Sequence, residues 1–152
     1  RGTRDSFKLD AEGSDKRYSF CLPASAPACP RLAVAESPID ALSLATLEKR
    51  TGGPWQNCHY LSLGGTAPNA LLQFLRDHPT VSQISMCLDN DKAGLAGMER
   101  LEQAVQSDPA LAAQVTLLCR NPPPAEYGKD YNEFLTALVR MERGQQRGRE
   151  AR

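Results

Sequence analysis

The chain has 152 residues, 41% of them apolar and 24% charged, with 18 basic side chains balanced by 18 acidic ones. That length suits one domain with a real core, and the absence of any apolar run near the roughly 18 residues of a membrane span argues against a membrane protein. Five cysteines (Cys21, Cys29, Cys58, Cys87, Cys119) form no CxxC pair, which argues against a zinc site and for reduced thiols.

Chain order gives the organisation. The first residue is Arg1 and no signal peptide follows, so the sequence is expected to be a piece of a longer cytoplasmic protein. "SFKLDA" (6–11) and "RYSFCL" (17–22) alternate apolar and polar residues on either side of the turn-forming "EGSDK", which predicts an antiparallel strand pair. "PASAPACP" (23–30) is a linker with little to bury. From residue 31 the pattern changes. "RLAVAE" is a short continuous apolar run, as in a strand buried on both faces. A helix is predicted over 38–50, with Ser37 as N-cap, Pro38 in its first turn and "TGGP" as its stop. "CHYLSL" (58–63) is the next strand, ended by Gly64 and Gly65. A helix over 67–78, a strand over 81–88, a helix from Lys92 and a strand over 114–119 follow. Cys58, Cys87 and Cys119 lie in these strand-like runs and are expected to be buried thiols. "NPPPAEYG" reads as a rigid loop and "DYNEFLTALVRMER" as a last helix. Residues 1–30, 31–139 and 140–152 thus read as a lead-in, a domain and a basic tail.

Strand and helix alternate four times. Such a chain is expected to fold as an α/β protein, with a mostly parallel four-stranded sheet and helices on both faces. Ligands of these sheets bind beyond the carboxyl ends of the strands. The sequence places acids there: Glu36 after the first parallel strand, Asp89 and Asp91 after the third, and Lys129 with Asp130 in the loop after the fourth. Four carboxylates on one edge repel unless a cation joins them or protons stay on. Hard oxygen ligands of this kind favour a magnesium-type ion that keeps several waters.

Other readings remain open residue by residue. Asp91 is equally placed to cap the third helix, and Asp40 stands three after Ser37, where a capping-box acid belongs. Asn132 suits a cap of the last helix as well as a substrate contact. Gly64 and Gly65 turn the chain or offer amides to a phosphate. Gly94 and Gly97 let the third helix approach the sheet, and Lys92 is as well suited to solvent. His59 and His78 have no partner pattern. Charge is uneven: residues 32–135 carry seven basic and twelve acidic side chains, and residues 136–152 five and two. That asymmetry fits both a polyanion footprint and a solvated tail.

"LAVAESPIDALSL", "LDNDKAG" and "GKDYNEF" together resemble the signature segments of the Toprim domain, shared by DnaG-type primases, topoisomerases and some nucleases. "SLGGTAPN" resembles the glycine loop after the second strand of primases. The likeness covers about residues 31–139 and is nearest to the primase-like branch of plasmid and conjugative elements, where residues 6–22 also resemble the lead-in. The resemblance implies a Rossmann-like Toprim fold, Glu36 as general acid or base, and Mg2+ (or Mn2+) on Asp89 and Asp91, with Asp130 joining a second metal. It places Asp40 at a further acidic position and Lys129 against a phosphate. Gly64, Gly65, Thr66, Lys92 and Asn132 would then meet phosphate or substrate. Asn132 stands where many primases have an aspartate, which weakens a second metal site.

The implied activity is nucleotidyl transfer on DNA or RNA, with nucleotides and other domains of the full-length protein as partners. Metal ions would stabilise charge on the reacting phosphate, and Glu36 would need a raised pKa. Metal-dependent strand cleavage and a non-catalytic docking module are the alternatives. Response-regulator receivers and haloacid-dehalogenase-type phosphatases are disfavoured, because both need an acid pair after the first strand.

Overall fold

The computed structural model describes residues 13–150, with side chains for 13–147. The regular elements are β1 (Cys21–Leu22), β2 (Arg31–Ala35), α1 (Pro38–Arg50), β3 (His59–Ser62), α2 (Asn69–Asp77), β4 (Gln83–Met86), α3 (Lys92–Gln106), α4 (Pro109–Gln114), β5 (Leu117–Arg120) and α5 (Tyr131–Glu150). They form one five-stranded sheet in the order β1-β3-β2-β4-β5. β3, β2, β4 and β5 run parallel, and β1 joins β3 antiparallel through Cys21↔Leu61 and Leu22↔Tyr60.

β2 lies at the centre, so its side chains meet helices on both sides. Leu32 and Val34 point into a core with Leu71, Leu75, Met98 and Leu101 of α2 and α3. Ala33 and Ala35 point the other way, toward Ala41, Ala45 and Tyr131 of α1 and α5. The continuous apolar run therefore reflects burial on both faces. The first core supplies most of the driving force. Each fully buried Leu, Ile or Met contributes roughly 2 kcal/mol of transfer free energy. Among the described residues no helix is long and apolar enough to cross a membrane.

Local chemistry explains the helix ends. The Ser37 hydroxyl accepts the Asp40 N–H at 3.3 Å with Pro38 in the first turn, and Gly52 ends α1 at φ 75°. Asp91 caps α3 by accepting the Gly94 N–H at 2.9 Å.

Four differences from the sequence expectations have physical causes. α4 is an additional helix, started by Asp108, which accepts the Ala110 and Leu111 N–H groups, and by Pro109. The "SDP" signal for it lies in the unassigned stretch between the helix expected from Lys92 and the strand expected over 114–119. β1 is short, and its described partner is β3, which makes the sheet five-stranded. The "SFKLDA" half of the expected pair lies outside the described residues. Cys119 is exposed while Cys58 and Cys87 are buried, because β5 is the edge strand. α5 continues through the expected tail to Glu150.

Candidate active site

β2 is the hinge of the topology. The chain leaves β2 through α1 on one face of the sheet, and leaves the neighbouring β4 through α3 on the other. Opposite departures open a crevice beyond the carboxyl ends of these two strands, which is where open α/β sheets bind ligands. Glu36 ends β2 and Asp89 follows β4, so one acid stands on each side of the crevice.

The two sides are joined. A Glu36 carboxylate oxygen (Oε1) accepts the Asp89 backbone N–H at 3.3 Å. The Cys87 N–H donates to the Val34 carbonyl at 2.7 Å, carrying the β2–β4 ladder up to the crevice. Gly94 brings α3 against this junction. A Cβ on Gly94 would lie 2.0 Å from the Asp89 carbonyl oxygen, so only glycine admits this turn. A Cβ on Gly97 would lie 3.0 Å from side-chain carbons of Leu88 and Thr66. Both glycines thus seat α3 on the sheet, as the sequence suggests.

Electrostatics sets Glu36 apart. Partial burial, then the negative charges of Asp89, Asp91 and Asp40, push its pKa up to about 7, against a weaker lowering by the Asp89 N–H. Burial also raises Asp89, opposed by the Lys129 ammonium and reinforced by Asp40, Asp130 and Asp91. Lys129 Nζ stands 3.5 Å from Asp89 Oδ2 at the exposed rim, and its pKa is raised chiefly by that carboxylate. The acids therefore act on one another as a single cluster, with Lys129 as the cation paired with it among the described residues.

Several of them also hold the fold. Asp40 is buried; it shares a hydrogen bond with the Ser37 hydroxyl, and its Oδ1 accepts the Asn132 N–H at 3.2 Å. It thereby ties the start of α1 to the start of α5, the capping-box role combined with an inter-helix link. Burial, then the charge of Asp130, raises its pKa, despite the lowering by Ser37. Asp130 caps α5 through the Glu133 N–H at 2.7 Å. That cap is Asp130 rather than Asn132, whose backbone serves Asp40.

Two features of this edge concern the expected metal and phosphate contacts. Among the described residues, no three carboxylate, imidazole or thiol side chains gather closely enough to grip one ion. Glu36, Asp89, Asp91 and Asp130 share an edge, but Asp91 and Asp130 each turn an oxygen to a helix start and Asp89 faces Lys129. The Gly64 and Gly65 amides are also not free for a phosphate. Gly64 N–H donates to Ser62 Oγ at 3.1 Å and Gly65 N–H to the Glu36 carbonyl at 2.9 Å. Both glycines have positive φ, 67° and 146°, so their chemistry is that of a tight turn. Thr66 Oγ1 accepts a hydrogen bond from Arg100 at 2.9 Å. Lys92, the first residue of α3, is exposed at the rim.

One residue escapes a reading based on charge. Asn90, between the two aspartates, donates its side-chain amide to the Pro123 and Gly128 carbonyls at 3.0 and 2.9 Å, and its N–H to the Lys129 carbonyl at 2.9 Å. It clamps the loop bearing Lys129 and Asp130 onto the Asp89 side of the crevice. Its signal was an Asn inside a sharp strand-to-helix turn, a residue type suited to bonding nearby backbone.

The donor set fits a hard divalent cation in kind: hard carboxylate oxygens, pKa values raised at Glu36 and Asp89, and more negative than positive charge close by. Asp89 and Asp91 could hold such an ion between them, with Glu36 and Asp130 on the same edge.

Residues 33–135 match the family model described as Toprim-like. The chain belongs to the Toprim-like family. It is also similar to an uncharacterized protein of Bacillus anthracis, pXO2-78, with 33% identity over 103 residues, covering 64% of this chain and 28% of the relative. The chain thus spans less than a third of the length of that curated relative. No solved structure matches it. The Toprim-like segment, 33–135, contains the crevice and all the acids described above.

Proposed function

We propose that this Toprim-like domain carries out magnesium-dependent nucleotidyl transfer on a polynucleotide, as the primase-like part of a mobile-element protein. The observation that carries the reading is Glu36, a partly buried carboxyl at the topological switch point, with a pKa near 7 and aspartates on the facing strand. A group that ionises near neutral pH is suited to pass a proton to or from a reacting hydroxyl. The Toprim-like family supports nucleic-acid chemistry, and the pXO2 label of the relative supports the mobile-element setting.

In this reading Glu36 holds the proton at its carboxyl, and Asp89 and Asp91 hold the metal. Lys129 shifts from Asp89 to a phosphate oxygen when substrate arrives, and Asn90 keeps the Lys129 loop in register. The bound ion supplies Lewis-acid stabilisation of charge on the reacting phosphate. Lys92 and Asn132 contact substrate from the rim. Further domains of the same polypeptide hold the template.

Tyrosine-mediated strand cleavage gains no support from Tyr60 or Tyr131. Tyr60 donates its hydroxyl to Glu48 deep in the sheet, and Tyr131 donates to the Asn121 carbonyl at 2.8 Å. The test is primer synthesis by the full-length protein carrying Glu36→Gln or Asp89→Asn. Loss of synthesis in both is expected. Wild-type synthesis in both would remove the proposal, and magnesium-dependent nicking without synthesis would replace transfer by hydrolysis.

A further inference from the structure

α5 begins at the acidic edge, where Asp130 caps it, and runs down the α1 face of the sheet. Its last tie to the body among the described residues is the ion pair between Glu142 and Arg50 of α1. Beyond it the helix stands clear: residues 140–147 are all exposed, and a Cβ on Gly144 would meet nothing within 4 Å. A polar helix end with no packing partner gains little from burial against the fold.

The arginines divide sharply. Nine arginine side chains are described. Arg17, Arg31, Arg50, Arg76 and Arg120 pair with carboxylates, and Arg100 donates to Thr66. Arg140, Arg143 and Arg147 are the other three, and no carboxylate among the described residues pairs with them. Their spacing of three and four residues puts them on one side of α5, within about 60° of arc. Glu142 projects to the opposite side, toward Arg50. Among the described side chains the stripe is therefore a row of unpaired positive charge, roughly 10 Å long at 1.5 Å per residue.

We propose that this stripe binds the phosphate backbone of a polynucleotide strand leading to the crevice. The inference rests on the reading that the domain acts on a polynucleotide, and it adds where the strand is held. The crevice itself is a poor footing for a polyanion, since its carboxylates outnumber its one close cation. Arg140 lies about 14 Å along the helix from Tyr131, and Arg147 about 24 Å. At 3.4 Å per nucleotide of a helical strand, that reach is four to seven nucleotides. Arginine suits the task because its planar fork engages phosphate oxygens in pairs.

The experiment measures binding of a fluorescent 20-nucleotide single strand to the 152-residue chain over a series of salt concentrations, without turnover. Three proteins are compared: wild type, an Arg140→Ala/Arg143→Ala/Arg147→Ala variant, and the matching triple Lys variant. All three positions are exposed, and circular dichroism of each variant checks that folding is unchanged. The Ala variant is expected to bind on the order of tenfold more weakly at low salt, with the log–log salt slope shallower by about 2, roughly 0.7 per lost contact. The Lys variant is expected to keep the slope. An Ala variant indistinguishable from wild type overturns the stripe and leaves the polynucleotide reading standing. A wild-type chain that binds no strand also overturns the stripe, and the polynucleotide reading then rests on the primer-synthesis test alone. Binding of anionic lipid vesicles instead of the oligonucleotide also overturns the proposal.

Discussion

Glu36→Gln probes the crevice through stability rather than turnover. The Glu36 carboxyl has a pKa of about 7 in the folded chain, against an ordinary 4.5, chiefly because of burial. A raised folded-state pKa means the folded chain holds this proton more tightly than the unfolded chain does. Stability is therefore full below about pH 4.5, falls as pH rises toward 7, and is lowest above that. At about 1.4 kcal/mol per unit, the destabilisation is at most roughly 3 kcal/mol, and about 2 kcal/mol after allowance for partial exposure. Gln retains a carbonyl oxygen for the Asp89 N–H and never ionises. Urea unfolding at pH 4 and pH 8, in EDTA at low salt, measures the difference. The variant should exceed wild type by about 2 kcal/mol at pH 8 and match it at pH 4. A variant less stable than wild type at pH 8, or an equal difference at both pH values, would refute the account of the cluster.

The remaining predictions concern packing and pH. Gly94→Ala forces the Asp89 carbonyl to move by about an ångström. An overpacking cost of roughly 1–3 kcal/mol should exceed the gain in helix propensity of about 1 kcal/mol, and weaker unfolding resistance in urea would show it. Gly97→Ala meets only side-chain carbons at 3.0 Å and should cost distinctly less; equal effects would contradict the geometry. His59 accepts the Ala24 N–H on Nδ1 at 3.1 Å, which leaves a buried Nε2 without a partner. Burial, then His78, lowers its pKa. The folded chain thus resists protonating it, and its stability contribution is full above about pH 6.5 and lost as pH falls. His59→Gln should flatten that acid-side loss relative to wild type in parallel unfolding titrations, and an unchanged slope would remove His59 as its cause.

The parallel strands, α1 and α3 were legible because each has a single dominant signal. The runs around Val34 and Ile84 are apolar throughout, Ser37-Pro38 opens a helix, and Asp91 can accept an amide three residues on. What escaped the sequence involves distant partners. Nothing near Asp40 announces that its carboxylate reaches Asn132, 92 positions away. Cys119 sits in an apolar run like that of Cys87, and only the strand order makes β5 an edge. Gly64 and Gly65 look like a phosphate loop, yet Ser62 and the Glu36 carbonyl take their amides. The acids at the strand ends were visible because parallel topology fixes their edge. Their individual orientations were not, since side chains choose among caps, a lysine and one another by small differences in free energy.

That choice separates the acids into two kinds. Asp40, Asp91 and Asp130 each accept a backbone N–H at the start of a helix, so their charges are held where helix dipoles also favour negative charge. The fold itself thus fixes the positions of three of the acids that border the crevice. Glu36 receives one long backbone bond from Asp89 and caps nothing. It bears the repulsion of the others without a compensating structural role, and its carboxyl carries the largest resolved rise among the acids. A residue of that kind is costly to keep for stability alone. Retaining a carboxylate there makes physical sense where a proton must be held and released near neutral pH, and where the neighbouring acids must stay fixed while it does so.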